Sequence, residues 1–199
     1  MFICSPNNPT GNLINVNDIE TILKSFNGIV VIDEAYIDFN TQKSWLESVN
    51  GYPNLVVTQT LSKAWGLAAA RIGMAYASKE IIDVLNKIKP PYNVSELNQN
   101  QALACVKDES RFQNNINLIL KEKEILISEL QKLKLVCKIF PSDANFILVQ
   151  VKDANALYKA LTNQQVIIRN RDKQIKNCVR ISIGKANENI KLIEALKNL

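Results

Sequence analysis

Three short segments in the first half of the chain carry side chains whose types and spacing could do chemistry. The first is Ser5-Pro6-Asn7-Asn8-Pro9-Thr10-Gly11, where two prolines and a glycine stiffen a turn that presents the Asn8 amide. The second is Val31-Ile32-Asp33-Glu34-Ala35-Tyr36. Asp33 closes an apolar run, a costly place for a carboxylate unless a cation pairs with it. A protonated pyridine nitrogen is one such cation, and the Tyr36 phenol follows three residues later. The third is Thr60-Leu61-Ser62-Lys63-Ala64-Trp65-Gly66-Leu67, continuing to Arg71-Ile72-Gly73. A lysine in a dry, cationic pocket can lose its proton and become a nucleophile. Thr60, Ser62 and Arg71 together offer two hydroxyls and a guanidinium, a donor set suited to a phosphate.

Each segment also has an ordinary reading. The first is a string of turn formers, Asp33 can cap a following helix, and a single lysine is far more often a solvated charge than a catalyst. The combination of the three favours the chemical reading. Composition narrows it further. The chain has no histidine, which removes Ser-His and Cys-His nucleophiles and histidine-containing metal sites from these residues. Proton transfer must fall to Lys, Tyr, Asp or Glu. The four cysteines lie far apart with no CxxC pair, so reduced thiols are expected and neither a zinc site nor a disulfide framework is.

The elements needed to position these side chains are visible in the patterning. Phe2-Ile3-Cys4 predicts a strand ending at the first turn. Ile19, Ile22, Leu23 and Phe26 recur at helical spacing. Ile29 to Ile32 and Leu55 to Val57 are β-branched-rich runs expected of parallel strands buried on both faces. Ligands of an open parallel sheet bind at the C-terminal ends of its strands. Prolines in Lys89-Pro90-Pro91-Tyr92-Asn93 mark a hinge. Beyond it one long amphipathic helix is expected, with Phe112, Ile116, Ile119, Leu120, Ile127, Leu130 and Leu133 on its apolar stripe. Phe146 to Val151 and Val166 to Ile168 read as strands separated by a helix. Val179, Ile181 and Ile183 alternate with Arg180, turning Arg180 to the opposite face, and Ile190 to Leu199 closes the chain as a helix. The expected architecture is α/β: part of a large α/β domain over residues 1–95, then a small α+β domain over 96–199.

Net charge is +5, with 47% hydrophobic and 22% charged residues. Lysines interleave with glutamates, as in Lys121-Glu122-Lys123-Glu124, which argues against a nucleic-acid footprint. A modest positive excess suits small anionic, phosphate-bearing molecules. No apolar run approaches the ~20 residues that cross a bilayer. Met1 to Gly11 lacks the pattern of a secretory leader, so no membrane association and a cytoplasmic location are expected.

The strings Cys4 to Gly11, Asp33-Glu34-Ala35-Tyr36, and Thr60-Leu61-Ser62-Lys63-Ala64 with Arg71-Ile72-Gly73 resemble the fold-type I aminotransferases that use pyridoxal 5'-phosphate (PLP). They are most similar to the histidinol-phosphate aminotransferase family. Ile167-Ile168-Arg169 and Val179-Arg180-Ile181-Ser182-Ile183-Gly184 extend the likeness over essentially the whole chain. The resemblance implies that Lys63 carries PLP covalently and acts as base and acid. It implies that Asp33 pairs with the ring nitrogen and that Asn8 and Tyr36 bond the ring's 3-oxygen. By the same likeness Thr60, Ser62 and Arg71 hold the cofactor phosphate, Arg180 takes a substrate anion and Arg169 helps with a substrate phosphate. A surface arginine at a strand end stays open as the alternative for Arg169. Substrates would be amino and keto acids, phosphorylated in this family, and the full-length protein a homodimer. Near rivals within the superfamily are a threonine-phosphate decarboxylase and an aromatic or aspartate aminotransferase; a non-catalytic remnant is the rival of another class. Ala69 stands where the family often has glycine. The family's Gly-rich phosphate turn and ring-stacking aromatic belong upstream of the first motif. The chain is therefore expected to be part of a longer protein and to bind PLP weakly alone.

Overall fold

The structure, a computed structural model, describes residues 1–199. Compactness divides the chain into two units, Met1–Asn7 with Leu13–Asn114, and Asn8–Asn12 with Asn115–Leu199.

The first unit is built on a four-stranded sheet of β1 (Phe2–Cys4), β2 (Val30–Asp33), β3 (Leu55–Thr60) and β4 (Gly73–Ala77), in that spatial order. β1, β2 and β3 run parallel, and β4 returns antiparallel to β3. The helix α1 (Val16–Ser25) begins where the Asn15 side chain accepts the Asn17 N–H at 2.8 Å, a side-chain N-cap. Its buried Ile19 and Leu23 pack on Val30, Ile32, Leu55 and Val57, joined by Trp45 and Val49 from a 3-10 helix, Trp45–Gly51. Those strand residues alternate with Val31, Asp33, Val56 and Thr58, so one face of the sheet makes the core and the other carries Asp33.

Burial on both faces, the expectation for the runs at Ile29–Ile32 and Leu55–Val57, holds for Leu55, Val56 and Val57, whereas Ile29 lies outside β2 at 50% exposure. α1 and the 3-10 helix supply the apolar cover of the face that carries Val30, Ile32, Leu55 and Val57. β4 and α2 (Lys79–Ile88) are among the elements that went unread in the sequence. β4 has no apolar alternation to betray it, and α2 buries no residue.

The long helix expected past the hinge is α4 (Glu109–Gln131), which carries Phe112 to Leu130 of the expected stripe, and a separate helix, α3 (Glu96–Val106), precedes it. The break falls at Lys107-Asp108, where the Asp108 side chain accepts the Arg111 N–H at 3.0 Å as a new cap. α3 belongs to the first unit, and buries Ala102 and Cys105 there. The compact division at Asn114 and the sequence boundary at residue 95 therefore do not coincide.

The second unit holds an antiparallel sheet of β5 (Val136–Ile139), β6 (Phe146–Val151), β8 (Cys178–Ser182) and β7 (Arg169–Asn170), in that spatial order. One face packs against α4, α5 (Ala154–Asn163) and α6 (Ala186–Lys197), through Leu126, Leu130, Ile147, Val149, Leu161, Val179, Ile181 and Leu192. Leu126, 1% exposed, belongs to this core although it was absent from the expected stripe. The strand expected at Val166–Ile168 is not formed. Gln165 takes a left-handed φ of 59°, the Val166 N–H bonds back to Leu161 O at 2.9 Å, and only Arg169 and Asn170 reach register with β8.

Candidate functional site

At the C-terminal edge of the first sheet, Asp33 stands in register with Cys4 on one side and Thr58 on the other. Its Oδ1 accepts the Ala35 N–H at 3.0 Å, the start of a tight turn that continues with Ile37 N–H to Glu34 O at 3.1 Å. This turn carries Tyr36, 8% exposed. Two residues beyond Thr58, β3 ends at Thr60, which pairs with Gly73 of β4. Residues 61–72 form the intervening loop, closed by Leu61 N–H to Ile72 O at 3.1 Å and internally by Leu67 N–H to Leu61 O at 2.9 Å. Lys63 sits near the loop's start, exposed, with its Nζ 5.3 Å from the centre of the Tyr36 ring. Asp33, Tyr36, Thr60, Ser62, Lys63 and Arg71 thus share one edge of one sheet.

The phosphate-clamp candidates are already engaged with the loop itself. Thr60 Oγ1 donates to Ile72 O at 3.2 Å and accepts the Ser62 N–H at 3.1 Å. Arg71 adopts φ 53°, ψ 43° and donates through Nη1 to Ala68 O at 3.1 Å. A left-handed arginine is uncommon and costs of order 1 kcal/mol or more. Here it directs the guanidinium back across the loop. Behind it, Trp65 stacks on Phe112 at 3.9 Å between centroids, and the Cys105 thiol points at Trp65 O at 3.6 Å. A groove of about 860 Å³ in this unit runs past Leu61, Ile72 and Tyr92 and touches none of Asp33, Tyr36 or Lys63.

The remaining sequence candidates lie in the second unit. Arg180 donates through Nη1 to Asn8 Oδ1 at 2.9 Å, with its guanidinium carbon 4.8 Å from the Phe146 ring centre. Arg169 stands directly opposite Arg180 across the β7–β8 pair. Like charges facing each other across strands destabilise a sheet, and an anion between them removes the penalty. The turn bearing Asn8 is held in this unit by Asp143 N–H to Gly11 O at 2.7 Å. Gly11, at φ +83°, comes so close that an added Cβ would sit 2.5 Å from Ser142 Oγ. Lys123 steadies the same loop by donating to Ser142 O at 3.0 Å and Ala144 O at 3.3 Å, and burial pushes its ammonium below the usual lysine range.

Sequence reasoning missed two buried carboxylates. Glu34, 1% exposed, accepts from Trp45 N–H at 2.7 Å, Ser44 Oγ at 2.5 Å and Gln59 Nε2 at 3.0 Å. Burial and then the Glu34 charge push the nearby Asp38 carboxyl above its usual value. Glu122 of α4 accepts Asn189 Nδ2 at 2.9 Å, while Asn189 also bonds both backbone groups of Gly184 beyond β8. Strand register and long-range partners, which no local pattern encodes, were the signals needed.

A parallel-sheet edge with an aspartate on one strand and a lysine-bearing loop after the next is the frame of a known class of proteins, and the chain belongs to it. The family model for aminotransferase class I and II matches residues 1–196. Over 201 aligned residues the chain is 50% identical to the histidinol-phosphate aminotransferase of Flavobacterium psychrophilum, covering all of this chain and 58% of that protein. The solved histidinol-phosphate aminotransferase from Clostridium acetobutylicum is similar at TM-score 0.93 and 28% identity, over 99% of this chain and 62% of that one. The L-threonine-O-3-phosphate decarboxylase from Porphyromonas gingivalis is similar at TM-score 0.86 and 26% identity, over 99% and 63%. The chain spans under two thirds of the length of each of these relatives.

Proposed function

We propose that this chain contributes the lysine-bearing half of a PLP-dependent aminotransferase. Its proposed reaction converts histidinol phosphate and 2-oxoglutarate into imidazole acetol phosphate and glutamate, in either direction. The observation that carries the reading is Lys63 beside the Tyr36 ring at 5.3 Å, on the sheet edge where Asp33 ends β2. The 49–50% identity to proteins named histidinol-phosphate aminotransferase supports the substrate.

The donor set fits PLP. Asp33 has one oxygen held by a backbone N–H, which leaves the other to face a cationic ring nitrogen. PLP, when bound, supplies an electron sink for the carbanion that forms as a substrate Cα loses its proton. Lys63 Nζ holds the cofactor, then takes the α-proton and returns it as an acid. Asp33 keeps a proton on the ring nitrogen, and Asn8 and Tyr36 orient the ring through its 3-oxygen. Ser62, Thr60 and Arg71 hold the phosphate, which requires the Thr60 hydroxyl to turn away from Ile72 O, while Arg71 has further N–H donors besides the one on Ala68 O. Arg180 binds the substrate anion, and Arg169 its phosphate. A cytoplasmic location is proposed with this function; its four cysteines are unpaired, and no helix is long and apolar enough to cross a membrane.

Homodimer formation is proposed as well. Ile88, Tyr92 and Leu97 are 73%, 98% and 82% exposed in one stretch beside the wide groove, a concentration of apolar surface that marks an interaction face. The second reading, decarboxylation of a threonine phosphate, draws on the Porphyromonas gingivalis likeness and on the paired Arg169 and Arg180.

The test uses the complete gene product. Borohydride treatment with PLP is expected to fix one label on Lys63. Lys63→Ala should lose the label and lower turnover by about 10²–10⁴-fold, the range of a lost general base. Labelling elsewhere, or none, sinks the proposal. Preferred turnover of threonine phosphate over histidinol phosphate selects the decarboxylase.

A further inference from the structure

Glu34 takes no part in the chemistry above, yet it is among the most buried charged side chains of the protein, at 1% exposure. Burying a carboxylate costs several kcal/mol, and apolar replacements of buried ions are often no less stable. Its three partners, Trp45 N–H, Ser44 Oγ and Gln59 Nε2, are all neutral donors. Stability alone gives little reason for a charge here. Its position gives a better one.

Side chains alternate along β3, so Thr58 and Thr60 face the side that Asp33 faces and Gln59 faces the other. Glu34 reaches Gln59, and so lies on that reverse side. The Glu34 N–H donates to Thr58 O at 2.8 Å, completing a pin between the two strand ends. The same carboxylate ties that edge to Ser44 and Trp45, and Trp45 belongs to the first core. The immediate chain neighbours of the pinned residues are Asp33, Thr58 and Thr60. The turn that begins at Glu34 delivers Tyr36, and the loop after Thr60 delivers Lys63.

Resting on the cofactor reading above, we infer that Glu34 is a positioning residue. From behind the sheet it locks β2 to β3, and so sets the separation at which Asp33 and Lys63 meet the two ends of one small ring. It touches neither cofactor nor substrate. Glu34→Ala removes the shared acceptor and frees the strand ends. Glu34→Gln keeps the shape, because a flipped Gln59 amide can accept from the new one while the Ser44 hydroxyl turns to accept as well.

The complete gene product, titrated with PLP, supplies three readouts: dissociation constant, pH midpoint of the cofactor's visible absorption band, and Tm. For Glu34→Ala, binding at least tenfold weaker and a midpoint shifted by at least half a pH unit are expected, with Glu34→Gln within threefold of wild type. Leu126→Ala, in the core of the other unit, lowers Tm but leaves both cofactor readouts at wild-type values. Glu34→Ala with a lowered Tm and unchanged cofactor readouts overturns the inference. If that variant does not fold, Gln59→Leu decides: about threefold weaker binding with a shifted midpoint supports the pin, and wild-type values overturn it. A wild-type protein with no band at all would instead refute the cofactor reading on which the inference rests.

Discussion

Arg180 shows how much one side chain is asked to do. It alternates out of the second core, donates to Asn8 at 2.9 Å, and stands across from Arg169. Its fork is already oriented by an amide and an aromatic face, which lysine, a point charge, cannot reproduce. Arg180→Lys should raise KM for the amino-acid substrate by ten- to a hundredfold, the scale of about 1–3 kcal/mol for a charged hydrogen bond. Arg169→Ala should raise KM for histidinol phosphate while leaving aspartate and phenylalanine unchanged. Steady-state kinetics on the three substrates separates these outcomes, and an equal effect of Arg169→Ala on all three removes it from the phosphate. At this scale the sequence was most legible: motif spacing placed Asp33, Tyr36, Lys63 and Arg71, and the structure brings them to one edge. The Arg180 contact with Asn8, 172 residues away, was invisible because only folding creates it.

Among the elements, runs of branched apolar residues gave away β1, β2, β3, β6 and β8, while short or half-exposed pieces such as β4 and β7 stayed hidden. Burial, which periodicity reports, is what those pieces lack. The turn at residues 8–12 illustrates a constraint that composition only hinted at. Gly11 combines φ +83° with contact against Ser142, so Gly11→Ala meets both backbone strain and a clash at 2.5 Å. A loss of about 1–3 kcal/mol is expected, seen as a lowered Tm. Ser142→Gly is no clean rescue, because the Ser142 hydroxyl also bonds Phe146 O and the Ala144 N–H. Full stability in the single variant would show that the turn can relax.

For the whole molecule, the Pro90-Pro91 hinge suggested a border near residue 95, whereas the compact division falls at Asn114, because α3, for which the sequence shows no apolar stripe, packs within the first unit. The exposed stretch around Tyr92 and Leu97 has a consequence at this scale. If a second copy covers it, Leu97→Glu in the complete gene product should halve the sedimenting mass at micromolar concentration. An unchanged mass would place the self-association elsewhere, and a monomeric wild type would dispose of it.

The stacking of Trp65 on Phe112 bears on all three scales. The chain has two indoles. Trp45 is sealed in the first core, while Trp65 lies two residues from Lys63. Ultraviolet emission from this protein therefore mixes a solvent-shielded signal with one beside the proposed cofactor site, and energy transfer to a chromophore lodged there would dim it. The protein carries its own optical gauge of occupancy.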